Sequence, residues 1–125
     1  MMKYNERYDP PAPVAKVKLR NPYALDSVAN VSMLLDTGSD ITLLPRTYCD
    51  EIGVKVSETE SLILEGFNQT ISVAFYARVD FIFLKKLFRG NFLVYDQTEG
   101  IIGRDVLNEF SIVFDGVNLE WKEQV

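Results

Sequence analysis

The stretch Val31-Ser32-Met33-Leu34-Leu35-Asp36-Thr37-Gly38-Ser39-Asp40-Ile41-Thr42-Leu43-Leu44 carries an acidic, glycine-bearing turn between two apolar runs. Aliphatic residues crowd both sides of the turn, so both flanks read as buried strands. A carboxylate held between buried strands is costly to desolvate unless it is partnered or put to use. Further along, Ile101-Ile102-Gly103-Arg104-Asp105 repeats the combination of apolar run, glycine and acid. The chain contains no histidine and one cysteine, which excludes a Cys-His dyad and a mixed Cys/His zinc site within one copy. What remains is acid and base chemistry on carboxylates.

With 125 residues, 47% hydrophobic and 25% charged, the chain fits one compact domain able to bury a core. The net charge of -5 argues against nucleic acid or an anionic membrane as partner, because phosphate binding is driven by clustered Lys and Arg. The basic cluster Lys85-Lys86 with Arg89 reads as a solvated hairpin. Cys49 alone cannot form an internal disulfide. Residues 1–17 hold scattered charges and the extended Pro10-Pro11-Ala12-Pro13 in place of an apolar signal core, and no segment is long enough to span a membrane. The expectation is a soluble, cytoplasmic protein in which residues 1–13 form a proline-rich N-terminal arm or edge segment and residues 14–125 form the domain, with order beginning near Val14.

From there the recurring signal is short apolar or alternating runs separated by turn formers, a β pattern. Residues 14–19, 28–35, 41–44, 60–65, 70–83 and 91–95 read as strands, with a turn at Asn21-Pro22-Tyr23. A short helix is expected after Pro45, ending at Gly53, and a second over residues 104–110. Residues 111–121 read as a hairpin around Asp115-Gly116, since that dipeptide suits the left-handed positions of a tight turn. The fold class is all-β, a closed or nearly closed barrel.

The chain resembles the retropepsin-like aspartic proteases at three places, in the right order. Leu34-Leu35-Asp36-Thr37-Gly38-Ser39 matches the family's apolar-apolar-Asp-Thr-Gly-Ser/Ala motif. Leu64-Glu65-Gly66-Phe67-Asn68 falls where the family has its glycine-bearing flap, with Asn68 standing where many relatives have another glycine. Ile101-Ile102-Gly103-Arg104-Asp105-Val106-Leu107 looks like the apolar-apolar-Gly-Arg-Asp/Asn segment that leads into a short helix. The resemblance spans residues 14–121. It implies a single-domain closed β-barrel with a flap hairpin and one or two short helices, acting as a homodimer and hydrolysing peptide bonds without cofactor or metal.

The chemistry suits that pattern. Two facing carboxylates cannot both ionise, so one keeps a proton and the pair titrates as a unit. The ionised member takes a proton from water while the protonated one polarises the scissile carbonyl. Because one Asp-Thr-Gly occurs per chain, the second aspartate must come from a second copy. By resemblance, Asp36, Thr37 and Gly38 are the catalytic triplet, Thr37 bonding across the two-fold axis and Gly38 permitting close approach. Ser39 is expected to donate to the Asp36 carboxylate, and Asp40 to bind substrate backbone and pair with Arg104. Gly66, Phe67 and Asn68 are expected over the bound peptide, with Ile102 as a subsite residue; of Ile101 and Ile102, one faces the core, because strand neighbours point to opposite faces. The terminal strand 117–121 or the arm is a candidate to build the dimer interface, and the arm a candidate to lie across the cleft.

Other readings of the acidic turn are weaker. A calcium loop places glycine at its sixth position, where this chain has Ile41. A phosphorylated aspartate belongs to a larger α/β domain. The alternative function is a retropepsin-fold module that dimerises or binds peptides without cutting them.

Overall fold

Alternation along the first long hairpin sets the sheet. Ala15, Val17 and Leu19 are buried while Lys16 and Lys18 between them are exposed, and the facing strand buries Ala29, Val31 and Met33 in the same way. Period-two patterning puts one face of each strand into a core and the other into water. The computed structural model describes residues 1–65 and 71–125. Among these the elements run β1 (Met2–Asn5), β2 (Ala12–Asn21), β3 (Ala24–Leu35), β4 (Leu43–Pro45), α1 (Arg46–Glu51), β5 (Val56–Glu65), β6 (Ile71–Phe83), β7 (Lys86–Tyr95), β8 (Gly100–Ile102), α2 (Arg104–Leu107), β9 (Ile112–Asp115) and β10 (Glu120–Glu123). None of the helices is long and apolar enough to cross a membrane.

The strands join in the order β5-β6-β7-β4-β8-β3-β2-β1-β10-β9, and β2 pairs in addition with β6. That extra pairing turns β6, β7, β4, β8, β3 and β2 into a circuit of hydrogen-bonded neighbours. Within it β3 with β8 and β4 with β7 are parallel, and the other pairs are antiparallel. The main core gathers Leu19, Val31, Met33, Val79, Phe81, Phe83 and Ile102, each of which stabilises the fold by about 1.5–3 kcal/mol when fully buried. Phe81 stacks on Phe92 at 5.3 Å between centroids, and Phe83 meets Phe110 edge-on at 5.0 Å.

Turn chemistry fixes the hairpins. Asn21 faces Ala24, leaving Pro22 and Tyr23 as a two-residue turn. Asn21 Oδ1 accepts the Tyr23 N–H at 2.9 Å, and its Nδ2 donates to the Ile52 carbonyl at 3.0 Å, which ties this turn to the end of α1. That helix ends as read, with Gly53 left-handed at φ 73°. Between β6 and β7, Leu84 and Lys85 take φ of 50° and 66°. Side chains at left-handed positions cost about 1–2 kcal/mol each. Leu84 packs on the core and Lys86 pairs with Glu109 at 2.8 Å, which offsets that strain and makes the basic cluster a hairpin.

Three local expectations change. Sheet pairing begins at Met2, well before Val14: β1 bonds β10 through Met2 and Trp121, and β2 through Tyr4 and Pro13. The short polar strand gains its place from long-range partners, among them Trp121, buried to 1% exposure, whose indole N–H donates to the Val14 carbonyl at 2.8 Å. Next, Asp115 faces Glu120, so the last hairpin turns over residues 116–119, with Leu119 as its left-handed residue at φ 54°. The Asp115 carboxylate captures both the backbone N–H and the side-chain amide of Asn118, at 3.2 and 2.8 Å, which favours this wider loop over a two-residue Asp-Gly turn. Finally, α2 stops at Leu107, and the chain reaches Phe110 through i to i+3 bonds.

Candidate active site

β3 runs parallel to β8, and their pairing continues one step into the turn: the Asp36 N–H donates to the Ile102 carbonyl at 3.0 Å. The chain then folds back on itself, Ser39 N–H donating to the Asp36 carbonyl at 3.2 Å and Gly38 N–H to Asp36 Oδ1 at 3.0 Å. The carboxylate is thus oriented by its own turn, as in an Asx turn. A Cβ on Gly38 would stand 3.2 Å from that oxygen, so even alanine would press on it.

A polar brace holds the turn to the segment around Gly103. Thr42 is 1% exposed; its hydroxyl donates to Asp105 Oδ1 at 2.6 Å and accepts the Gly103 N–H at 3.1 Å, while its backbone N–H donates to Asp105 Oδ2 at 3.1 Å. Arg104 adds two bonds, from its backbone N–H to the Ser39 carbonyl at 2.9 Å and from Nη1 to the Thr37 carbonyl at 2.8 Å. Gly103 is required by contact: a Cβ there would lie 2.6 Å from the Ile41 carbonyl carbon and oxygen. Among the described residues no buried side-chain polar atom lacks a hydrogen-bond partner, the condition under which a buried network rigidifies rather than destabilises.

Above the turn opens a cleft of about 760 Å³. Asp36, Gly38, Ser39, Asp40 and Ile41 line one side, Leu62, Ile63, Leu64, Glu65 and Ser72 of the β5–β6 hairpin another, with Leu43, Tyr95 and Ile101 between. Asp36 is half-buried; Thr37, Gly38 and Asp40 are exposed. The Tyr95 hydroxyl donates to the Glu99 carbonyl at 2.6 Å; burial, then the negative charge of Glu99, pushes its phenol up. Tyr8 donates to the Glu99 carboxylate at 2.7 Å, and burial together with that partner pushes it up to about 12.

Four of the expected site residues, Asp36, Gly38, Ser39 and Asp40, come together in the cleft wall. Thr37 stays at the exposed tip of the turn. Gly66, Phe67 and Asn68 lie outside the described residues, although β5 and β6 pair up to Glu65 and Ile71 on either side of them. Ile102 is a correction: it is fully buried in the core, and its neighbour Ile101 faces the cleft. Ser39 is another, since its hydroxyl donates to the Ile41 carbonyl at 2.8 Å and the Asp36 oxygen is served by Gly38. Arg104 is a third; it clasps the Thr37 carbonyl and forms no ion pair with Asp40. None of residues 1–13 lines the cleft, so the arm does not lie across it. The brace residues Thr42 and Asp105 were legible only as parts of the two motifs, and Tyr95 carried no sequence signal of its own.

The structure thus brings the acidic turn and the Ile-Ile-Gly-Arg-Asp segment together beside the β5–β6 hairpin of an all-β chain. The sequence profile of aspartyl proteases matches residues 21–106. Among solved structures the fold is similar to that of the EIAV protease complexed with the inhibitor HBY-793, at TM-score 0.62 and 20% identity, covering 78% of this chain and 86% of that one. A comparison with curated proteins found no match. The chain belongs to the aspartyl protease family, and its fold is similar to that of a retroviral protease.

Proposed function

We propose that two copies of the chain pair so that Asp36 of each faces the other across a two-fold axis, and that this dyad hydrolyses extended peptides. One observation carries the reading: the single Asp-Thr-Gly of the chain sets a half-buried, hydrogen-bonded carboxylate into the wall of an open cleft. Like charges a few ångström apart share one proton. The ionised aspartate accepts a proton from water, whose oxygen bonds to the scissile carbonyl carbon, while the other donates its proton to the carbonyl oxygen. Collapse of that diol breaks the C–N bond as a proton passes to the leaving amine, and the dyad returns to its starting charge.

The remaining roles follow from placement. The exposed tip at Thr37 and Gly38 is where a second turn docks closely, and Ser39 and Asp40 flank the path of the substrate backbone. Ile101, with Leu43 and Leu64, supplies apolar subsite wall, and the six-strand circuit is read as a small closed barrel that holds the turn rigid. Asp36→Asn tests the mechanism: hydrolysis should disappear while Tm and oligomeric state stay at the wild-type values. Cleavage retained in that variant contradicts the mechanism.

A further inference from the structure

The cleft has a charge asymmetry that its catalytic role does not require. Among the described residues its ionisable lining is Asp36, Asp40, Glu65 and Tyr95, with no Lys or Arg, although the chain holds 13 such residues. Elsewhere on the molecule acids meet bases: Arg20 pairs with Asp80 at 2.9 Å and Lys86 with Glu109 at 2.8 Å. Asp40 and Glu65 form no ion pair among the described residues. They also come from different elements, Asp40 from the turn that carries Asp36 and Glu65 from the end of β5. Both line the cleft, so a strand-like peptide lying in it meets both elements.

We infer that Asp40 and Glu65 select substrates bearing a lysine or arginine beside an apolar scissile region, so that the substrate class is apolar peptides with a flanking cation. This rests on the reading of the cleft as the substrate site. A cationic side chain there gains carboxylates that form no ion pair among the described residues, whereas an acidic side chain meets like charge. A mixed apolar and cationic segment also fits the walls, where Leu62, Leu64 and Ile101 offer surface for the alkyl stem of lysine or arginine.

The test uses short extended peptides with an apolar centre and one Lys, Gln or Glu moved through the flanking positions. Cleavage is followed with the wild-type protein, and binding with Asp36→Asn by fluorescence anisotropy. At one or more flanking positions the Lys peptide should exceed its Glu counterpart by about threefold to tenfold in kcat/KM and in affinity, the range expected of one or two partly exposed ion pairs. Raising ionic strength from about 0.05 to about 0.5 M should shrink the ratio. Glu65→Gln and Asp40→Asn, which preserve shape, should each reduce it. Equal handling of Lys and Glu peptides overturns the inference, and a preference untouched in both variants overturns its assignment to these residues. Lys-selective binding without any cleavage supports the inference while overturning the hydrolytic reading. Cleavage without charge preference does the reverse.

Discussion

Replacing Thr42 by valine isolates the brace beneath the Asp36 turn. Valine keeps the branched shape and exchanges a hydroxyl for a methyl. Asp105 Oδ1 then loses its 2.6 Å bond, a charge-assisted contact worth about 1.5–3 kcal/mol, and the Gly103 N–H is left without its acceptor at a further cost of about 1–3 kcal/mol. The added buried methyl returns about 1 kcal/mol. The expected net destabilisation is about 1.5–5 kcal/mol, or a fall in Tm of roughly 6–20 °C for a domain of this size. Thermal and urea unfolding at one fixed protein concentration measure it, because the stability of any chain that self-associates depends on concentration. Thr42→Ser is the control: it keeps the hydroxyl and loses one methyl, so it should cost only about 1 kcal/mol. A valine variant within about 0.5 kcal/mol of wild type, or a serine variant as unstable as the valine one, refutes the brace as a source of stability.

Gly103→Ala should fail more severely, with insoluble protein or a Tm more than about 10 °C lower, because the new Cβ meets the Ile41 backbone and no flexible side chain can yield; a soluble variant of wild-type Tm contradicts the packing argument. Asn118→Ala should weaken the fold in a pH-dependent way. The side-chain and backbone bonds of Asn118 hold the Asp115 carboxyl below its ordinary 3.8, so this group contributes stability above that value and loses it as pH falls through the lowered one. The variant should therefore be less stable at neutral pH with the gap closing in acid, and a gap of constant size contradicts the assignment. Cys49, fully buried and pushed up to about 12 chiefly by burial, should resist alkylation at about pH 8 until the protein unfolds; rapid labelling of the native protein contradicts its burial.

Local pattern made the hairpins legible. Lysines alternating with Val17 and Leu19, and serine and asparagine alternating with Val31 and Met33, announced β2 and β3 without knowledge of their partners. The two motifs also announced the turn and its support. What the sequence concealed were choices between equivalent local options, settled by distant contacts. Met2–Asn5 is too short and polar to announce a strand, and its partner Trp121 lies at the other end of the chain. Ile101 and Ile102 are chemically identical neighbours, and only the pairing of Leu35 with Ile102 decides which one enters the core. The Ser39 hydroxyl had two acceptors in reach along the chain, and the turn geometry delivered it to Ile41 by giving Asp36 the Gly38 N–H instead. The Asp115-Gly116 turn failed for a related reason, since an asparagine two residues beyond the glycine offered the aspartate better bonds than a tight reversal allows.

The dyad itself is tested most directly by mixing wild type and Asp36→Asn in varying proportion, at constant total concentration, through a cycle of dissociation and reassociation. If each active site needs Asp36 from both subunits, peptide hydrolysis follows the square of the wild-type fraction, and an equimolar mixture keeps about a quarter of the wild-type rate. A linear dependence, with about half the rate retained in the equimolar mixture, contradicts a site shared between two copies.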